Sequence, residues 1–320
     1  MVEGNKKLNF LRGILYLSPA IILLAIFTFY PLIKTFIISF NFEYNYLLSS
    51  KGLFAPYNPS GWGFQNYAKI FSEGNPFLKY LGNTMIIVFV SVPISIALSL
   101  LIAVALNSIK PLQKFLQTVF FLPYVTNTIA IGMVFSIMFE SQQGLVNTIL
   151  NAFGQSSVNW LGGNTSAKVL LGSQTFTSFI VLITYIIWNS LPFKVLILLS
   201  ALQSVDKQYY QAAQIDGTSK IRTFFKITVP LLSPQIFYLL ITSFIGAFKE
   251  YTSVVAIFGT SASSVGSRNN MATVVWYIYS KIEAGGKTMG YAAAGSVVLF
   301  AIIMFFTLIN KQVEKKRIHF

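Results

Sequence analysis

Residues Tyr209 to Pro234, YYQAAQIDGTSKIRTFFKITVPLLSP, form a charged and patterned connection between two strongly apolar stretches of the chain. Gly217 divides this connection, because glycine readily adopts the left-handed conformation that ends a helix. Thr218 or Ser219 can cap a second helical piece, and we expect Pro230 to stop it. The sequence therefore predicts two short helices joined by a tight turn.

The second helical piece is amphipathic. Ile221, Phe224, Phe225 and Thr228 fall on one face at helical spacing, and the basic residues lie mostly opposite. A helix this short is marginal by itself, so its apolar face needs something to pack against. The lipid surface, the chain's own helices and a groove on another protein are all possible receptors.

The composition of the whole chain indicates an integral membrane protein. Of its 320 residues, 54% are hydrophobic and only 10% are charged, whereas soluble domains have about 25% charged residues. The chain has no Cys and a single His, His319, which excludes disulfides, thiolate sites and His-based catalytic or metal sites. The net charge of +14 is better explained by basic cytoplasmic loops than by nucleic-acid binding, and we expect no nucleic-acid partner.

Six charge-free stretches are long enough to cross a hydrocarbon core of ~30 Å as helices. They are Ile14–Ile33, Tyr80–Ile109, Phe115–Phe139, Val169–Phe193, Ile227–Phe248 and Thr288–Asn310. We expect the fourth to continue past Lys194 to about Gln203 and the fifth to begin near Pro234. Three prolines within the spans should kink their helices, because each removes a backbone donor: Pro93, Pro123 and Pro192.

The distribution of basic residues predicts the orientation. The N-terminus, the second and fourth connections and the C-terminal tail together have 13 Lys and Arg residues, whereas the opposite face has 7 on longer loops. Positive residues concentrate on the cytoplasmic side, so we expect both termini in the cytoplasm. The predicted organisation is a cytoplasmic N-terminus (1–13), a transmembrane domain (14–311) with a cytoplasmic loop at 204–233, and a cytoplasmic tail (312–320).

No arrangement typical of covalent chemistry is found in the sequence. The stretch GGKT at Gly285–Thr288 resembles the end of a phosphate-binding loop, but Lys281 stands where that loop needs its first glycine. The nine acidic residues include no carboxylate pair or nucleophile–base arrangement. We therefore predict no catalytic and no metal-binding residues.

The patterned loop closely resembles the EAA signature of the permease subunits of bacterial ABC importers. The matching residues are Tyr210, Gln211, Ala212, Ala213, Asp216, Gly217, Phe224, Ile227, Pro230 and Pro234. Other stretches resemble the carbohydrate-uptake branch, of the maltose and glycerol-phosphate permease type. They are YLSPAIILLAIFTFYPL (Tyr16–Leu32), GFQNYAKIF (Gly63–Phe71), FFLPYV, GLVNTILN, NWLG, the Trp188–Pro192 element and GYAAA (Gly290–Ala294). The resemblance extends from about residue 14 to residue 311.

The resemblance implies an all-α type I ABC importer permease with six transmembrane helices in the bacterial cell membrane. Its loop would form coupling helices in a groove of a cytoplasmic ATPase subunit. The residues implied in coupling are Gln211, Ala212, Ala213, Asp216, Gly217, Ile221, Phe224 and Phe225. Gln211 replaces the leading Glu of the signature, so one ionic contact would become a neutral hydrogen bond.

The resemblance also implies partners. These are a second, unlike permease, two ATPase subunits that bind ATP-Mg, and an extracytoplasmic binding protein that delivers a sugar or oligosaccharide. The chain itself would have no enzymatic activity and no cofactor, and its spans would contact membrane lipid. The long outer loops are natural docking surfaces for the binding protein.

Matching the sugar-binding members of the family nominates a solute pathway along two spans. Its residues would be Asn189, Ser190, Phe193, Ser243, Gly246, Ala247 and Glu250, with polar groups for hydroxyls and Phe193 as a stacking face. Lys249 and Glu250 cannot both occupy one narrow helix face, and a charge facing lipid is costly, so we expect Glu250 to face the pathway. Alternatively, Glu250 pairs with Lys194 or Lys249 and holds helices together.

Other functions remain open on sequence alone. The same type of transporter could import a non-sugar solute such as a glycerol phosphate. An ion-coupled secondary transporter would need carboxylates within the membrane, and only Glu250 is a candidate. A scaffold or protein-export component would use the amphipathic loop for a different partner.

Overall fold

The computed structural model of the chain describes residues 6–44, 61–109, 113–162, 173–259 and 271–317. Within these ranges the structure is helical, with an isolated antiparallel bridge between Asn41 and Trp62 and no longer strand. The prediction of an all-α protein is therefore confirmed for the described residues.

The helices follow one another with short connections. In chain order they are α1 (Lys6–Leu24), α2 (Tyr30–Ser39), α3 (Gln65–Ile70), α4 (Phe77–Ser108), α5 (Gln113–Val125), α6 (Thr128–Met138), α7 (Leu145–Ala152), α8 (Gln174–Ser204), α9 (Lys207–Ile215), α10 (Lys220–Thr223), α11 (Val229–Leu231), α12 (Ser233–Phe248), α13 (Thr252–Phe258), α14 (Val274–Ala284) and α15 (Met289–Arg317). Turns of π-helix at Ala25–Phe29 and Phe224–Thr228 join α1 to α2 and α10 to α11.

Four helical stretches of the described residues are long and apolar enough to cross a membrane by themselves. They are Arg12–Ser39, Phe77–Ser108, Gln174–Ser204 and Gly286–Lys315. Two further pairs of helices reach this length only together: Phe115–Val125 with Thr128–Met138, bent by 95°, and Lys220–Leu231 with Ser233–Phe248, bent by 68°. The described chain therefore has four candidate spans, or six if each bent pair crosses once.

The third predicted span, Phe115–Phe139, bends much more sharply than the kink expected at Pro123, since its two helices meet at 95°. The helix stops at Val125, two residues after Pro123, and α6 begins at Thr128. The Asn127 side chain accepts hydrogen bonds from the backbone N–H groups of Ile129 (2.9 Å) and Ala130 (3.2 Å). This cap satisfies the first donors of α6, so the chain can change direction there without leaving them unpaired.

The ends of the other helices agree with the sequence in part. Helix α8 ends at Ser204 and α12 begins at Ser233, each within one residue of the predicted end. The predicted start at Val169 lies outside the described residues. The stop expected at Pro230 is found to within one residue: the helical stretch ends at Leu231, and the chain bends by 68° before Ser233. At the C-terminus, α15 continues past the predicted boundary at 311 to Arg317.

The chain forms two compact units, of which the first contains Met1–Phe77 and Tyr277–Phe300. In this unit the buried Asn66 amide donates to the carbonyl oxygens of Ser39 (2.9 Å) and Asn41 (3.0 Å). Gly290 lies so close to Asn66 that a Cβ atom would come within 2.8 Å of the Asn66 amide. Two of the motifs that carry the family resemblance, GFQNY and GYAAA, therefore meet here.

The second unit contains Leu78–Trp276 and Ala301–Phe320, and α8 runs through two hydrophobic clusters in it. The first half of α8, including Leu182 and Tyr185, packs with α13 and α6. The last part, including Leu198 and Leu202, packs with α4 and α12. Where the two clusters meet, α8 lines the cavity described next with Ile186, Asn189, Ser190, Phe193 and Lys194.

Candidate functional site

A cavity of about 370 Å³ lies within the second unit, between α4, α8, α12 and the α5–α6 break. All seven residues predicted for the solute pathway line it: Asn189, Ser190, Phe193, Ser243, Gly246, Ala247 and Glu250. Their convergence is a structural finding, and their role in transport stays a prediction.

Helix α12 supplies one wall because its lining residues repeat at helical spacing. Ser243, Gly246, Ala247 and Glu250 follow one another at intervals that keep them on one side of a helix. Gly246 leaves open space, since no atom lies within 4 Å of the position that a Cβ would take. This wall therefore combines polar groups with room for a ligand.

Glu250 lies just past the end of α12, where its carboxylate Oε1 accepts the backbone N–H of Ser253 (2.9 Å). The Thr273 hydroxyl donates to the Glu250 carbonyl oxygen (2.7 Å). Among the described residues, no ion pair joins Glu250 to Lys194 or Lys249. The carboxylate is thus held by local hydrogen bonds on the cavity wall rather than by a structural ion pair.

Lys194 also lines the cavity, and we did not predict it as a pathway residue. The residue is only 6% exposed. Its Nζ donates to the hydroxyls of Ser95 on α4 and Ser190 on α8, the latter at 3.2 Å. A lysine inside an otherwise apolar span was the signal that could have identified it.

An aromatic pair forms another part of the wall. The rings of Tyr124 and Phe193 stack with centroids 5.6 Å apart and an interplanar angle of 17°. Tyr124 is in the last turn of α5, directly before the break, and lines the cavity. One face of Phe193 is therefore already covered, and only the remainder of the ring is available for a sugar.

The patterned loop folds as two helical pieces, as predicted. Gly217 has φ of +63°, and its N–H donates to Gln214 O (3.1 Å) while the N–H of Thr218 donates to Ala213 O (2.9 Å). These are the paired hydrogen bonds of a Schellman C-cap. Ser219 then caps α10 by accepting from the N–H of Arg222 (3.4 Å).

The apolar residues of this loop divide between the chain itself and its surface. Phe224 packs against the α4–α8–α12 cluster, and Ala213 is only 5% exposed. In contrast, Ile215, Ile221 and Phe225 are 87%, 74% and 64% exposed. We call these three residues the exposed loop patch. Gln211, Ala212 and Asp216 also lie at the surface.

The described part of the loop at 140–168, which is predicted to lie on the outer face, is held by Asn147. Its amide donates to the carbonyl oxygens of Ser141 and Val158, each at 2.9 Å. Its Oδ1 accepts from Val158 N (3.1 Å) and Trp160 Nε1 (2.9 Å). The motifs GLVNTILN and NWLG are therefore tied together by one buried side chain. We call residues 141–160 the outer platform.

Glu140 precedes the outer platform and is exposed. Its carboxylate accepts the backbone N–H groups of Gln143 (2.6 Å) and Gln142 (3.0 Å). These hydrogen bonds lower the pKa of the Glu140 carboxyl from its usual value. Since a lowered pKa favours the charged form, this turn is stabilised at neutral pH and loses that support as the pH falls through the lowered pKa.

Most of the chain matches the model of a known protein family. The model of the family described as "binding-protein-dependent transport system inner membrane component" matches residues 95–319, which is most of the chain. The chain belongs to this family. It is therefore a multi-pass permease of a binding-protein-dependent transport system, a membrane subunit that is not itself catalytic, and the resemblance seen in the sequence is confirmed.

Relatives of this permease have names that specify carbohydrate transport. It is 32% identical over 296 residues to the arabinooligosaccharides transport system permease protein AraP of Halalkalibacterium halodurans, covering 91% of this chain and 84% of the relative. It is 29% identical over 315 residues to the lactose transport system permease protein LacF of Rhizobium radiobacter, covering 98% and 97% of the two chains.

A solved structure supports the fold. The permease superposes on a chain of a bacterial alginate ABC transporter in complex with an alginate pentasaccharide-bound periplasmic protein, with a TM-score of 0.77 and 19% identity. The match covers 97% of this chain and 96% of the other. The architecture is therefore that of an ABC transporter permease.

Proposed function

We propose that this permease forms the translocation pathway of an ATP-driven importer for a sugar or oligosaccharide. The observation that carries the proposal is the single cavity on which all seven predicted pathway residues converge. Its wall offers hydroxyl, amide and charged groups between two apolar clusters of a membrane protein, as expected of a site for a polar solute. The lactose and arabino-oligosaccharide transport named for its relatives supports a carbohydrate.

The proposed crossing of the membrane uses six spans, with each bent pair counted as one, and both termini in the cytoplasm. Under this topology the loop at 204–233 is cytoplasmic. The basic residues Lys220 and Arg222 then lie on the same side as the three other basic clusters of the predicted inner face, as positive-inside placement requires.

We further propose that the loop couples this permease to an ATPase subunit. The exposed loop patch places three large apolar side chains on a surface next to basic residues, which is the composition of a docking surface rather than of a solvated turn. Phe224 and Ala213 pack inward, so movement of the docked patch would be transmitted to α8 and α12.

The complete importer would contain this permease, a second permease, two cytoplasmic ATPase subunits and an extracytoplasmic binding protein. ATP-Mg would be bound by the ATPase subunits, and this chain would need no cofactor. ATP binding would close the ATPase pair and move the coupling loop inward. The cavity would then open to the binding protein, which would dock on the outer platform, and hydrolysis would return the cavity to the cytoplasm.

Purification of the tagged full chain from its own membranes tests this function. An ATPase subunit and a second permease should co-purify, and uptake into proteoliposomes should require ATP and persist when the membrane potential is abolished. Uptake that follows the ion gradient without ATP would instead support a secondary transporter, and absence of any ATPase partner would contradict the proposal.

A further inference from the structure

The cavity contains two charged side chains of opposite sign on different elements. Lys194 lies within α8, and Glu250 follows α12. They are the charged residues among those that line this cavity, and no ion pair joins them in the described structure. A cation and an anion thus line the same cavity without forming a direct ion pair.

Each of these groups has hydrogen-bonding capacity left. The Lys194 ammonium has three donors, and it donates to Ser95 and Ser190, so one N–H has no partner among the described residues. The Glu250 carboxylate accepts from the Ser253 N–H and also from the Ser253 hydroxyl and the Tyr251 N–H, and its two oxygens have room for about four hydrogen bonds in all. A bound solute would find a remaining donor on Lys194 and remaining acceptor capacity on Glu250.

We propose that Lys194 is a solute-binding residue, and that Lys194 and Glu250 together select neutral polyhydroxyl solutes over anionic ones. This inference rests on the proposed function and adds the class of solute. An ammonium group only donates and a carboxylate only accepts, whereas a hydroxyl does both. A molecule with several hydroxyls can therefore satisfy both groups at once.

An anionic solute is disfavoured by the same arrangement. A phosphate or uronate would be attracted to Lys194 but repelled by Glu250, and repulsion between like charges is stronger inside a protein than in water. The pair therefore separates neutral saccharides from sugar phosphates and uronates by electrostatics, independently of size.

Lys194 could instead serve only to tie α8 to α4 through Ser95. The variant Ser95→Ala separates the two roles, because it removes this tie and leaves the ammonium in place. If Lys194 binds solute, Ser95→Ala should change saccharide affinity much less than Lys194→Met. If Ser95→Ala and Lys194→Met lost equal saccharide affinity, Lys194 would have only the structural role of holding α8 to α4.

The experiment uses the full chain, purified in nanodiscs with the subunits that co-purify with it. Equilibrium binding is measured at millimolar maltotriose, lactose and arabinotriose as neutral probes, and glucose 6-phosphate and digalacturonate as anionic probes. The unaltered protein should bind a neutral probe and neither anion. Lys194→Met should weaken that binding by about 10-fold or more, as expected for loss of a charged hydrogen bond. Glu250→Gln should admit an anionic probe that the unaltered protein excludes.

Three results would overturn the inference: binding of an anionic probe by the unaltered protein, no binding of any neutral probe, or unchanged affinity in Lys194→Met. If any of these results is found while an ATPase subunit still co-purifies, only the proposed roles of Lys194 and Glu250 in selecting the solute are wrong. If the ATPase subunit is also absent, the proposed importer function fails as well.

Discussion

The backbone N–H of Thr218 donates to the carbonyl oxygen of Ala213 at 2.9 Å. This hydrogen bond closes α9 around Gly217 and fixes the direction in which the second helical piece leaves. Because Ala213 is buried and Ile221 is largely exposed, the turn determines which side chains face the chain and which face outward. The geometry of one turn therefore presents the exposed loop patch.

Gly217→Ala should weaken coupling without blocking insertion. No atom would clash with the new Cβ, so the cost is the left-handed backbone alone, about 1–2 kcal/mol. Gly217→Asn is the matched control, since Asn tolerates this conformation. We expect binding-protein-stimulated ATP hydrolysis to fall in Gly217→Ala and to be largely kept in Gly217→Asn. If both variants kept the stimulated ATP hydrolysis of the unaltered protein, the left-handed turn at Gly217 would not be needed for coupling.

Phe224 and Phe225 are neighbours with opposite predicted roles. Phe224 packs on the chain's own core, so Phe224→Ala should lower the stability of the permease by roughly 2–3 kcal/mol, measured as a lower Tm. Phe225 is exposed, so Phe225→Ala should leave Tm nearly unchanged and weaken retention of the ATPase subunit, about tenfold or more if Phe225 is a major contact. The opposite pattern would place the ATPase contact elsewhere.

The spans could be predicted from the sequence because backbone groups inside a bilayer must be paired within a helix. Long apolar runs therefore gave α4, α8 and α15 almost directly. Pro123 predicted a kink in the third span, but the sharp 95° break before α6 could not be predicted from the sequence. It depends on the Asn127 cap and on the Tyr185 hydroxyl, which donates to the Thr128 carbonyl oxygen (2.6 Å) from another helix.

The candidate site, too, could be predicted only in part from the sequence. The family resemblance nominated residues on two spans, and these meet in one cavity. Tyr124 could not be assigned to it, because it reaches the cavity only through the packing of α5 against α8. Lys194 had a signal in the sequence, a charge within an apolar span, but the sequence did not show which other elements it faces. Helical spacing also placed Phe224 and Phe225 on one face, but it does not predict that Phe224 packs within the chain and Phe225 is exposed. Ala213 was expected at the ATPase surface and lies buried instead.

Asn147→Ala should disrupt the outer platform. The substitution removes four hydrogen bonds of a fully buried side chain, at a cost of roughly 3–4 kcal/mol. We expect a lower Tm and loss of stimulation by the binding protein, with basal ATP hydrolysis retained. Asn151→Ala on the exposed side of α7 is the control. Stimulation that survives in Asn147→Ala would indicate docking elsewhere.

A reporter fused after Phe320 tests the orientation. The excess of basic residues on the predicted inner face places the C-terminus in the cytoplasm, so a cytoplasm-active fluorescent reporter should be bright and a reporter active only outside should be silent. The inverse result would reverse the topology and put the loop at 204–233 on the outer side, away from any ATPase.

Site-specific cross-linking at Ile221 tests the central claim most directly. The chain has no cysteine, so Ile221→Cys introduces a single thiol at an exposed position of the loop patch, and Ile149→Cys introduces one at an exposed position of α7. In membranes containing the assembled transporter, a short cross-linker with one thiol-reactive end and one photoreactive end should join Ile221→Cys to the cytoplasmic ATPase subunit and should leave Ile149→Cys without that product. A permease whose Ile221→Cys thiol is labelled but yields no ATPase product, or an ATPase product from Ile149→Cys, would contradict the account.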